Sequence, residues 1–70
     1  MKNMYLILLE AEKTCHTIEI RERATGKRGV ANSDGDKVAV FYGAADGSDD
    51  KRITPEQFNT DFEVTYTISG

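Results

Sequence analysis

Tryptophan is absent from this 70-residue chain, proline and cysteine occur once each, and no apolar run exceeds the six residues from Met4 to Leu9. A lone Cys15 excludes an internal disulfide framework and a thiolate zinc site. A membrane span needs about 20 apolar residues and a signal peptide about 7–15, so the sequence predicts neither a span nor export by that route. A cytoplasmic location is therefore expected, and an unpaired cysteine fits a reducing compartment. Length is scarce too. At 7.8 kDa the chain is expected to form one domain over residues 1–70, with no room for a cofactor domain beside a substrate domain. A chain of this size buries only about 60% of its unfolded surface, so the core is thin and self-association would strengthen it.

Charge of either sign is also modest. The net charge is −3, composed of +2 over residues 1–30 and −5 over residues 31–70. Tight non-specific nucleic-acid binding requires many phosphate neutralisations, and a DNA mimic requires a dense anionic surface. Neither fits.

What is present is period-two alternation, the mark of strands separated by turns. Met4–Glu12 reads as a first strand, with Tyr5, Ile7, Leu9 and Ala11 on one face; a helix is the alternative, because Leu, Glu, Ala and Lys favour one. Cys15–Arg23 follows, with Ile18 and Ile20 inward. Ala24-Thr25-Gly26-Lys27 supplies a turn. Arg28–Asn32 and Lys37–Tyr42 form a hairpin about Asp34-Gly35. Residues 43–52 read as a solvated acidic loop. Thr54-Pro55-Glu56-Gln57 reads as a capped helix start of one to one and a half turns, carrying Phe58 inward. Phe62, Val64, Tyr66 and Ile68 alternate with Glu63, Thr65, Thr67 and Ser69 as a last strand.

The order Ile18-Glu19-Ile20, then Thr25 to Ala31 (TGKRGVA), then Asp36 to Val40 (DKVAV) resembles the SH3-like small barrels, in particular their KOW and Tudor-like branch. The short turn at Thr54–Phe58 is similar to the helical turn before the last strand of that family. The resemblance implies an all-β fold: a small five-stranded antiparallel barrel, closed on itself, with one short helical turn near residues 55–58. It also implies that the Gly-rich basic turn touches nucleic acid or a protein partner.

Catalysis has little to work with. Cys15 and His16 are neighbours on a strand and point to opposite faces, so they form no dyad; a buried Cys15 packed as a small hydrophobe is the simpler state. The chain also lacks room for a pocket of several hundred cubic ångströms. Asp46, Ser48, Asp50 and Gln57 fall at calcium-loop spacing, but Lys51 occupies the position that needs glycine, Gln57 replaces the bidentate glutamate, and a strand precedes the loop. No metal, cofactor or enzymatic activity is expected.

The residues left for a role are on the surface. Arg21 and Arg23 share a strand face, Lys27 and Arg28 lie at the next turn, and Glu19 would pair with Arg21. Phe41 and Tyr42 point to opposite faces, which makes Phe41 the exposed aromatic. Val38, Val40, Phe58, Phe62, Val64 and Ile68 are expected to fill the interior. The sequence thus predicts a non-catalytic interaction module that binds a protein partner through Arg21, Arg23, Lys27, Arg28 and Phe41, with Asp46–Asp50 steering the encounter. The alternatives are a nucleic-acid-binding KOW-like barrel, disfavoured by the acidic pI, and a small phage- or plasmid-type assembly protein that self-associates along the edge of Met4–Glu12. No membrane partner is expected. A helix over the opening decapeptide would remove the closed ribbon and, with it, the basis of the contact face.

Overall fold

The computed structural model describes residues 3–44 and 46–69, with the side chains of Cys15, His16 and Ser69 outside that description. The expected burial of Cys15 therefore lies outside the described side chains. In chain order the elements are α1 (Met4–Glu12), β1 (Cys15–Glu22), β2 (Arg28–Asp34), β3 (Lys37–Phe41), β4 (Lys51–Ile53), α2 (Pro55–Asp61) and β5 (Phe62–Ser69). The five strands form one sheet in the order β4-β3-β2-β1-β5, antiparallel at every junction. The described ladder ends at β4 on one side and β5 on the other, so the sheet is open.

Met4–Glu12 is a helix, which corrects the strand reading and removes the closed all-β ribbon argued from it. The segment is apolar almost throughout, so period-two and helical spacing both fit it. Two local features favour the helix. Its residues are good helix formers, and the Asn3 side chain caps its start by accepting from the Leu6 N–H at 3.2 Å. Met4 and Leu8, four residues apart, then fall together on the buried face. Both ends are tied down. Asn59 Oδ1 accepts the Tyr5 N–H at 2.8 Å, and the Glu12 carboxylate accepts the Ser33 N–H and hydroxyl at 2.5 and 2.6 Å.

The loop reading of residues 43–52 needs a smaller correction, because Lys51 and Arg52 join β4 and pair with Val40 and Ala39 of β3. Ile53 supplies the buried anchor of this edge strand. Five strands are present, but β4 stands where the first strand was expected. The Thr54–Gln57 capping box forms as read, and α2 continues through Asn59 and Thr60 to Asp61. The β2–β3 hairpin closes on Gly35-Asp36 between Asp34 and Lys37. Gly35 has φ 61 and Asp36 does not have positive φ, the II′ pattern that matches strand twist.

Both helices lie on one face of the sheet. Leu8, Ile20, Val38, Val40, Phe58 and Phe62 are its fully buried side chains, and the Phe58 and Phe62 rings stack with centroids 5.8 Å apart. Among the described residues no helix is long and apolar enough to cross a membrane.

Candidate functional site

The opposite face of the sheet has no helix over it, and its register fixes which side chains share it. Glu19 pairs with Val30 of β2 and with Tyr66 of β5, and Val30 pairs with Phe41 of β3. Directly opposed residues project to the same side, so Phe41, Val30, Glu19 and Tyr66 form one row across four strands. Arg28, Arg21 and Glu63 form the next row.

The apolar part of this face comes from a break in β5. Ile20 opposes Val64 while its neighbour Glu19 opposes Tyr66, so Thr65 is an extra residue, a β-bulge, and its hydroxyl donates to the Glu19 carbonyl at 3.2 Å. A bulge reverses the facing of everything beyond it. Phe62 and Val64 therefore point to the core, while Tyr66 and Ile68 turn to the open face, 62% and 38% exposed. This corrects the expected burial of Ile68. The strict alternation of residues 62–69 carries no sign of the bulge, so nothing in the sequence marks Tyr66 and Ile68 as surface residues, whereas Val30 of β2 lies on the open face through its pairing with Glu19 and Phe41.

The five residues expected to make the contact surface separate into two sets. Arg21, Arg28 and Phe41 share the open face. Phe41 faces this side, opposite to Tyr42 as the alternation predicts, but it is half-buried there rather than exposed. Arg21 pairs with Glu63 rather than Glu19, its Nε donating to Glu63 Oε1 at 2.8 Å. The reason is geometric: opposed residues on adjacent strands are about 5 Å apart, closer than residues i and i+2 on one strand. Arg28 stands directly opposite Arg21 and makes no ion pair among the described residues. Arg21, Arg28, Glu19, Glu63, Thr65 and Tyr66 line a shallow, open groove of about 570 Å³, larger than the chain length led one to expect. Arg23 lies beyond the strand, exposed in the β1–β2 turn, where its N–H donates to the Asp61 carbonyl at 2.8 Å.

Lys27 belongs to the other side. Its Nζ lies 4.4 Å from the Tyr42 ring centroid and 3.4 Å from Asp49 Oδ2. Lys51 Nζ lies 5.5 Å from the same ring and 3.6 Å from Glu22 Oε2, so two ammonium groups bracket one aromatic ring. The four cations therefore do not gather on one face. Lys27 instead ties the acidic loop to the β1–β2 turn, so Asp49 is engaged internally. Asp46 accepts the Ser48 N–H at 2.9 Å, and among the described residues no cluster of His, Cys, Asp and Glu is placed to hold a metal ion.

Glu22 is held below the usual carboxylate range, chiefly by the Thr25 hydroxyl, which donates to it at 2.7 Å, against an opposing effect of burial and with help from Lys51 and Lys27. For Lys51, burial acts to lower the pKa, but the neighbouring Tyr42 phenol and the Glu22 carboxylate outweigh it and hold the ammonium above its ordinary range. The Tyr42 hydroxyl oxygen is buried with no hydrogen-bond partner among the described residues. Because Glu22 titrates lower in the folded chain than in the unfolded one, its stabilising effect is complete above about pH 4.3 and is lost as pH falls through the depressed value. Thr25→Ala is expected to move the Glu22 titration upward in a carboxyl NMR experiment, and an unmoved midpoint would assign the shift to the lysines instead.

No family model, characterised protein or solved structure matches the chain.

Proposed function

We propose that this chain is a non-catalytic interaction module that binds a protein partner through the open face of its sheet. The observation that carries this reading is the apolar content of that face. A solvated face of an antiparallel sheet is normally polar, yet here Phe41, Val30, Tyr66 and Ile68 lie on it beside Arg28, a cation without an acidic partner among the described residues. Aromatic and arginine side chains together are the usual energetic anchors of protein interfaces. The fitting partner presents an apolar surface with a carboxylate opposite Arg28. What remains of the SH3-like resemblance in this proposal is the strand order alone, a meander of β1 to β4 with a capped turn before β5, in a sheet that stays open.

The face rebuilt this way keeps Arg21, Arg28 and Phe41, adds Val30, Tyr66 and Ile68, and gives up Lys27 and Arg23. Phe41→Asp combined with Arg28→Glu is expected to weaken partner capture at least tenfold, the effect of losing roughly 1.4 kcal/mol or more at anchor positions. The double variant should keep the parent's oligomeric state and circular dichroism spectrum, so that the loss of capture is not a loss of fold. Captured material should also survive nuclease treatment. If it disappears with nuclease, base stacking on Tyr66 and Phe41 becomes the better reading, and if the double variant binds normally the open face is not the site.

A further inference from the structure

As the last strand of the sheet, β5 leaves one row of backbone groups without a neighbouring strand, and such edges are normally protected by lysine, proline or a covering element. Its first half is protected: the Val64 N–H donates to Met4 Sδ of α1 at 3.4 Å. Beyond the Thr65 bulge that cover ends. Tyr66, Thr67 and Ile68 are all exposed, and residues 64–68 contain no charge and no proline.

We infer that β5 of a second copy of this chain adds antiparallel along this edge, on a two-fold axis at Thr67. The register follows from side-chain facing. With Thr67 opposite Thr67, Tyr66 lies opposite Ile68 of the other copy and Ile68 opposite its Tyr66, all on the open face. The two large apolar residues that the bulge turns outward thereby become cross-strand partners, an aromatic against a β-branched side chain. On the helix side, Thr67 borders a groove with Ile7, Glu10, Ala11 and Thr14, which leaves space beside α1 for the added strand. Charge allows the contact. Each copy carries −3, yet the nearest β5 acid, Glu63, stands four positions from the axis, so the two glutamates are separated by roughly 26 Å at about 3.3 Å per residue. The product is a continuous ten-stranded sheet in which two open faces lie side by side.

Sedimentation equilibrium of the full chain at about 0.1 mM is expected to give twice the 7.8 kDa chain mass. Thr67→Lys sets two ammonium groups across the axis and should raise the dimer Kd at least tenfold. In a Cys15→Ser background, Thr67→Cys should oxidise to a covalent dimer, because opposed antiparallel residues have Cα atoms about 4.5–5.5 Å apart, within disulfide reach. Glu56→Cys, on the exposed side of α2, should not. The cross-linking pair carries the test if the lysine variant fails to fold. A chain that stays monomeric overturns the inference. So does a dimer broken by Leu6→Lys but not by Thr67→Lys, which would place the contact on the exposed Leu6 of α1, and so does a β5 edge that pairs only when a different protein is added.

Discussion

Phe58→Ala is expected to destabilise the chain by about 3–5 kcal/mol, the range for deleting a buried phenylalanine side chain. Phe58 is fully buried, is the only buried residue of α2, and stacks on Phe62 at an interplanar angle of 15°. A 70-residue domain has roughly 4–10 kcal/mol of stability at about 0.05–0.15 kcal/mol per residue, so one side chain accounts for a large share of it. The damage spreads because α2 also carries Asn59, which holds the first turn of α1 through the Tyr5 N–H. Thermal unfolding followed by circular dichroism should show the midpoint lowered by about 12–40 °C, at roughly 4–8 °C per kcal/mol for a domain of this size. Phe58→Leu, which keeps most of the apolar volume, should recover more than half of the loss. A midpoint within a few degrees of the parent would mean that the aromatic stack is not the centre of this core.

Gly29→Ala is expected to cost about 1–3 kcal/mol, the usual range for forcing a group into a packed space. The backbone conformation at Gly29 is one that any residue adopts, so the cost is steric. A Cβ there would stand 2.4 Å from the Phe41 carbonyl oxygen and 3.2 Å from Tyr42 Cδ1. Backbone cannot rotate out of the way as a flexible side chain can, so the end of β3 must move from β2. That movement takes Tyr42 away from Lys27 and Lys51. A lower melting midpoint should therefore be accompanied by shifted Tyr42 ring resonances and faster amide exchange near residues 29–30 and 41. Parent-like stability with unchanged Tyr42 signals would show that β2 and β3 separate there at little cost.

These sites differ in how far the sequence discloses them. Thr54-Pro55-Glu56-Gln57 specifies its own cap, because the bonding atoms lie within four residues, and Gly26 and Gly35 mark turns where positive φ is needed. Phe58 could be placed inside from its single apolar position in that short helix. Met4–Glu12 could not be assigned in this way. Its apolar residues satisfy both periods, and what separates them is Asn3 at one end and, at the other, Ser33, twenty-one residues from Glu12 along the chain. The sequence places Arg21 on a surface but offers only Glu19 as its partner, since Glu63 is adjacent only once β5 lies against β1.

Local chemistry written in the chain determined the turns, the capped helix, four of the five strands, the apolar residues at the centre, and the opposed facing of Phe41 and Tyr42. Packing between distant segments decided that the first segment is a helix, that Lys51–Ile53 joins the sheet, and that Thr65 bulges so that Tyr66 and Ile68 face outward. The physical reason is range. A cap or tight turn is closed by atoms a few residues apart, whereas a strand's register, and with it the facing of every later side chain, is chosen by the neighbour it pairs with.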